Sequence, residues 1–262
     1  RGGMGIVLKG RDTKLERVVA VKVMAPEFAN HANARRRFLR EANAAASISH
    51  DHLVTVHAVE SGELPYLVME YIDGCSLQQK LDRDGTLETK EILRIGMQTA
   101  KGLSAAHVQG LIHHDIKPAN ILLQNSVERT KVGDFGLARA VDDASITRTG
   151  EIRGTPQYMS PEQARGEKTD PRSDLFSLGA VLYAMCTGRA PFRAESTMGV
   201  LSRVCHDTPR PMLEVNPDIP QWLISIVARL MEKEPEDRFQ SADEVAEMLS
   251  RCLAHVQQPT VA

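Results

Sequence analysis

Leu111-Ile112-His113-His114-Asp115-Ile116-Lys117-Pro118-Ala119-Asn120 is followed, after two short apolar stretches, by Asp134-Phe135-Gly136. The intervening stretches, 121–123 and 131–133, read as the two strands of a hairpin, which would project Asn120 and Asp134 from its ends. One loop then offers an acid, a base and an amide, and the other a second acid ahead of a glycine. Such a set suits metal-assisted phosphoryl transfer, where positioning and charge neutralisation do nearly all the work.

Working outward, residues 17–24 alternate with the period of a strand. Val19, Val21 and Val23 share one face, and Val18, Ala20 and Lys22 the other. Lys22 thus faces an apolar cleft, where an unpaired ammonium is costly and needs a partner. Residues 33–49 read as a helix with Phe38, Ala42 and Ala45 at core spacing, which sets Glu41 beside the apolar stripe as that partner. A strand at 66–72 is broken by Asp73-Gly74. Helical patterns recur near 88–109, 172–187, 197–206, 219–232 and 242–254, and the last opens on Ser241-Ala242-Asp243-Glu244, a capping box. A strand-rich first part, a hinge at 70–74 and a larger helical remainder imply an α+β chain of two lobes.

The chain opens on Arg1-Gly2-Gly3-Met4-Gly5-Ile6-Val7. Glycines ahead of a strand let the backbone close over phosphates and offer them its N–H groups. A dinucleotide-binding turn would need a helix after the glycines, whereas 6–10 reads as strand, so that reading fails.

Composition narrows the partners. The 262 residues carry a net charge of -2, with 42% hydrophobic and 25% charged residues, as in an ordinary soluble globular protein with a large core. Arg35-Arg36-Arg37 reads as a solvated helix face, and without a basic stripe nucleic acid is not an expected partner. Cys75, Cys186, Cys205 and Cys252 lack paired zinc spacing and read as thiols of a reducing compartment. No apolar run approaches the ~20 residues of a membrane helix, and no signal peptide is visible. The abrupt start inside a glycine cluster suggests a fragment of something longer.

In this order and at these intervals the motifs resemble, almost end to end, the catalytic domain of eukaryotic-like (Hanks-type) Ser/Thr protein kinases, bacterial receptor-type branch. The resemblance implies the bilobal kinase fold: a sheet-rich lobe over 1–72 that lacks its first strand, and a helical lobe over 73–262. It implies transfer of the γ-phosphoryl of ATP to Ser or Thr hydroxyls of protein substrates. Asp115 would accept the hydroxyl proton and Lys117 would steady the γ-phosphate. Asn120 and Asp134 would hold Mg²⁺, with Mn²⁺ as the alternative. Gly2, Gly3, Met4 and Gly5 would cover the phosphates, and Lys22 would hold the α and β phosphates. Glu41 would fix Lys22 only when its helix is swung in. Val7 and Ala20 would enclose the adenine, with Leu122 also in the ATP site. Met69 would be the gatekeeper, with the Glu70 carbonyl and the Ile72 backbone reading the adenine edge.

The segment 134–162 has the length of an activation segment. Thr147 and Thr149 resemble the twin autophosphorylation threonines of the bacterial branch, which leaves room for a homodimer. Thr155 would bridge Asp115 and Lys117. Glu162 and Arg238 resemble the buried ion pair that ties this segment to the helical lobe, and Asp174 and Gly179 the scaffold beneath the catalytic loop. His113 would pack against Phe135. His114 departs from the family, which usually has Arg there to grip a loop phosphate bidentately; imidazole offers at most one donor in that direction, so the coupling of loop phosphorylation to activity should be weaker and pH-sensitive. The expected place is the cytoplasm, this segment itself touching no membrane. A pseudokinase that binds nucleotide or partners is the alternative from another class, and the presence of Lys22, Asp115, Asn120 and Asp134 together speaks against it. The pattern at 154–162 speaks against a small-molecule kinase.

Overall fold

Four antiparallel strands, β1 (Gly5–Asp12), β2 (Arg17–Met24), β3 (Val56–Glu60) and β4 (Tyr66–Glu70), form a sheet in the order β1-β2-β4-β3. The computed structural model describes residues 5–124, 129–134 and 156–258. The expected alternation of β2 is present: Ala20, Lys22 and Met24 are all buried on one face. Against that face lie α1 (Pro26–Ala29) and α2 (Ala32–Ala46), whose Ala34, Phe38 and Ala42 close a small core with Met24, Phe28 and Leu67. At Gly5 a Cβ would lie 2.0 Å from the carbonyl oxygen of Val23, so any larger residue would push β1 off its partner.

A second sheet, β5 (Gly74–Ser76), β6 (Ile121–Gln124) and β7 (Arg129–Val132), begins where the first ends. Gly74 therefore does more than break β4, since it opens a strand paired with β6. Among the described residues the remaining helices are α3 (Leu77–Asp84), α4 (Thr89–Val108), α5 (Pro161–Arg165), α6 (Pro171–Thr187), α7 (Thr197–His206), α8 (Gln221–Leu230) and α9 (Ala242–Gln257). Fifteen of the seventeen residues of α6 are buried, which makes it the axle of the helical core. A Cβ on Gly179 of α6 would lie 2.7 Å from the Cβ of Leu230, so glycine lets α6 and α8 approach this closely.

One local reading changes. Ser241 caps α9 by accepting the Glu244 N–H at 3.1 Å, but the Glu244 carboxylate turns to the Gln240 N–H and to Arg229, so the capping box is only half made. True reciprocal boxes occur at Ser76/Gln79 and Ser160/Gln163. The link after α2 ties the two parts of the chain together. Ile48 and Leu53 belong to the helical core, and Val54 and His52 exchange backbone hydrogen bonds with Val132 of β7. The first part of the chain is thus stapled to the hairpin that carries the reactive loops.

Candidate active site

The hairpin holds its cargo as its pattern requires. Ile121 pairs with Val132, and the Gly133 N–H donates to the Asn120 carbonyl at 2.9 Å, so Asn120 and Asp134 stand at the open end of one ladder. A 3₁₀ turn, Pro118–Asn120, feeds β6 and sets the amide of Asn120 against Asp115. Its Nδ2 donates to the Asp115 carbonyl at 2.8 Å and to the Asp115 carboxylate at 3.0 Å. Lys117 Nζ lies 2.8 Å from the same carboxylate oxygen, Oδ2.

Lys22 reaches this loop pair from the sheet. Register places Val7 opposite Lys22, and Ala20 opposite Met69, so all four share the face turned to the cleft. The buried Lys22 ammonium lies 2.8 Å from Asp134 Oδ1. Burial by itself would push the Asp134 carboxyl up, but Lys22, aided by Lys117, holds it below the ordinary carboxylate value. Lys22, Asp115, Lys117, Asn120 and Asp134 are therefore gathered at one place.

Glu41 is expected to fix Lys22 only with its helix swung in. Among the described residues the ion pair Lys22 makes is with Asp134, and no Lys22–Glu41 pair forms. A buried ammonium needs one close carboxylate, and Asp134 supplies it here. A cavity of about 20 Å³ lined by Ala42, Ala45, Met69 and Asp134 lies between α2 and the hairpin. Leu122 is half-buried on β6, and Glu70 and Ile72 stand where β4 runs out. Gly2, Gly3, Met4, Thr147, Thr149 and Thr155, as well as Phe135, lie outside the described residues.

Beneath the loop sits Asp174, fully buried in the first turn of α6. One oxygen accepts the His114 N–H at 2.8 Å; the other takes the His113 N–H at 2.8 Å and His107 Nε2 at 2.7 Å. Burial opposes the charge, yet the bond from His107 and the other donors keep this carboxyl below its ordinary value. His113 Nδ1 accepts the Asp115 N–H, so its Nε2 carries the proton given to the Gly133 carbonyl, tying the two reactive loops together. His114 and Asp134 both adopt left-handed backbone, at φ 65° and 61°. Residues without a glycine's freedom hold such angles only where surrounding bonds over-determine them.

A second buried network locks the segment behind the loop. Arg238, 1% exposed, grips Glu162 with two parallel bonds of 2.9 Å and spends its remaining donors on the Arg172, Glu232 and Lys233 carbonyls. Ser173 adds a 2.6 Å bond to Glu162. Burial pushes Glu162 up, but Arg238 and Ser173 overcome it and lower the carboxyl to about 2. Gln163, whose Oε1 completes the cap of α5, donates from Nε2 to the His114 carbonyl at 2.8 Å.

Three supports escaped the sequence reading. His107 ends a helix where histidine is common, and nothing near Gln163 in the chain points to the loop it supports. Lys131, on the short strand β7, is buried: its ammonium reaches Glu70 Oε2 at 2.8 Å and the Leu53 carbonyl at 3.1 Å. It thereby joins the hairpin to the end of β4. The signal was a lysine flanked by two buried residues of one strand, which could have been flagged as needing a partner.

An all-oxygen donor set fits a hard divalent cation. Asn120 commits its Nδ2 to Asp115, which leaves Oδ1 as its other polar atom, at the same end of the hairpin as Asp134, whose carboxyl is held below its ordinary value. Among the described residues no three His, Cys, Asp or Glu side chains cluster as metal ligands. A cation that keeps its waters and takes further oxygens from phosphates suits this pair better than one that demands a closed protein cage.

The protein kinase domain family matches residues 1–250, and the chain belongs to that family. A probable serine/threonine-protein kinase of Clostridium acetobutylicum is 40% identical over 250 residues, which are 95% of this chain and 38% of that protein. The serine/threonine-protein kinase PknB of Mycobacterium leprae is 40% identical over 98% of this chain and 42% of its own length. The chain thus spans about two fifths of the length of these curated relatives. The crystal structure of the Mycobacterium tuberculosis PknI kinase domain superposes with a TM-score of 0.77 at 28% identity, covering 96% of this chain and 92% of that one. The fold is the protein kinase fold, a sheet-rich first region and a helical second one. Kinases of this family use ATP with a divalent metal. No helix among the described residues is long and apolar enough to cross a membrane.

Proposed function

We propose that this chain is the catalytic part of a serine/threonine protein kinase, passing the γ-phosphoryl of ATP to Ser or Thr hydroxyls of proteins and autophosphorylating its own activation segment. The observation that carries the reading is the meeting of two ion pairs, Lys22–Asp134 and Lys117–Asp115, over the hairpin that bears Asn120. In this reading Asp115 orients the acceptor hydroxyl and takes its proton. Lys117 reaches forward to the transferred group, and its place two residues after the aspartate is the Ser/Thr-kinase pattern. Asp134, kept ionised, and Asn120 Oδ1 hold the metal, for which Mg²⁺ is the fitting ion and Mn²⁺ the substitute. When bound, such an ion neutralises phosphate charge as it redistributes. Lys22 then leaves Asp134 for the nucleotide phosphates, and Glu41 takes over as its counter-ion when α2 moves in.

Val7, Ala20 and Leu122 enclose the base, with Met69 behind it and the backbone of Glu70 and Ile72 at its edge, beneath glycines 2, 3 and 5. The boundary between lobes falls at 72/73. Free cysteines throughout the described residues support a cytoplasmic setting, and a transient second copy would present the threonines at 147 and 149. Radiolabelled ATP with a generic Ser/Thr substrate, run beside Asp115→Asn, tests the assignment. Transfer undiminished in the variant would remove Asp115 as the base.

A further inference from the structure

At the far end of α6 the chain forms a cavity of about 360 Å³ that the catalytic reading does not use. It begins beside Tyr183 and Thr187, nine and thirteen residues along α6 from Asp174, or about 14 and 20 Å of helix at 1.5 Å per residue. Its lining residues include four arginines, Arg189, Arg193, Arg203 and Arg210, against a single acidic residue, Asp207. The surplus is local, because the whole chain carries a net charge of -2.

The arginines differ in what they already hold. Arg203 lies 3.8 Å from Asp207, and Arg210 lies 3.0 Å from Glu214. Arg189 and Arg193 form no ion pair with any carboxylate of the described residues and are exposed at the rim. Their frame is nonetheless fixed. The Thr187 hydroxyl donates to the Tyr183 carbonyl at 2.9 Å and accepts the Arg189 N–H at 3.3 Å, and Tyr183 donates to the Arg210 carbonyl at 2.8 Å. Phe192 forms the floor at 2% exposure, and the Lys233 ammonium lies 4.4 Å from its ring on the buried side. Uncommitted guanidinium forks on a rigid frame are suited to bidentate capture of a phosphoryl group.

We propose that this cavity is a docking site for a phosphomonoester carried on a polypeptide, distinct from the catalytic cleft. The walls argue for a ligand larger than free phosphate, because Ala190, Pro191 and Val215 give apolar surface for residues flanking the phosphorylated one. A nucleic acid or an anionic membrane would need a continuous basic stripe, whereas here the charge is gathered in one concavity. The proposal needs only an anion and a peptide, so it stands whether or not the phosphoryl-transfer reading holds.

The test is anisotropy of a labelled alanine–glycine peptide bearing one phosphothreonine, beside its unphosphorylated twin, with the cleft saturated by a non-hydrolysable ATP analogue. The expected result is a preference for the phosphopeptide of about 10-fold or more, weakened by salt. In the double variant Arg189→Gln, Arg193→Gln that preference should vanish while phosphoryl transfer to a generic substrate is unchanged. Should the double variant lose its fold by melting temperature, Arg193→Gln alone should cut the preference several-fold. Equal affinity for the two peptides, a preference surviving both variants, or displacement by inorganic phosphate as tightly as by phosphopeptide would each overturn the proposal.

Discussion

The two ion pairs of the site, Lys117–Asp115 and Lys22–Asp134, are equally short at 2.8 Å, yet they are held in opposite ways. Asp115 belongs to a loop suspended from Asp174, from the Gly133 carbonyl through His113, and from Gln163, each contact saturated and mostly buried. Moving that loop would strand a buried carboxylate, which costs several kcal/mol. Lys22 is carried by a strand beside α2, which leaves a small void over Asp134, and in the proposed reading the ammonium exchanges Asp134 for Glu41. The rigid half supplies geometry, and the exchangeable half is where the site can be switched.

Breaking the rigid half at its chemical centre should have the largest effect. Asp115→Asn is expected to lower phosphoryl transfer by about 10²–10⁴-fold with little change in melting temperature, read by radiolabel incorporation and calorimetry. If folding falls with activity, the loop is not independently held.

Next comes the anchor at Glu162. Glu162→Gln strands the buried Arg238 guanidinium, and a loss of about 3–5 kcal/mol is expected, seen as a fall of roughly 10 °C in melting temperature. The sign with pH follows from the depressed carboxyl. Its contribution is complete above the ordinary value of 4.5 and is lost as pH falls towards about 2. That difference corresponds to about 3 kcal/mol. An acid-unfolding midpoint that does not move between wild type and Glu162→Gln would remove the anchor from the account.

Glu41→Gln sharpens the contrast on the exchangeable side. Because Lys22 already has Asp134, stability should change by less than about 1 kcal/mol while kcat drops about 10-fold or more, as expected where a contact is made only during turnover. Equal losses in both would mean that α2 and Lys22 are already locked together.

The smallest effect is expected at His114→Arg. Its N–H and carbonyl already bind Asp174 and Gln163, so the backbone should tolerate the change. Stimulation by activation-segment phosphorylation should rise a few-fold over that of wild type, where imidazole is the weaker and pH-dependent partner. Identical stimulation in wild type and variant, from pH 6 to 8 or so, would reject the idea.

Legibility along the chain divides by range. β2 was readable to the residue, because each side chain's face follows from local alternation. The helices at Thr89–Val108, Pro171–Thr187 and Thr197–His206 lay within a residue or so of their apolar patterns. By contrast β3 and α3 went unread: β3 is half-buried on both faces, and α3 is short and polar, so neither pattern stands out. At the site, the residue types and order of Asp115, Lys117, Asn120 and Asp134 were evident. The partners of Lys131 and Lys22 were not, since a lysine in a strand does not say which distant carboxylate it meets.

The order of residues by itself determined the kind of elements, the hairpin that separates the two reactive loops, and the inventory of acids, amide and ammonium they bear. These follow from backbone periodicity and short-range spacing, which every neighbouring side chain senses. Only the packed molecule decided that Lys22 sits on Asp134, that Lys131 joins the hairpin to the end of β4, and that four arginines from separate stretches surround one cavity. Such pairings depend on how closely whole elements approach, a quantity summed over the entire core rather than written in any one segment.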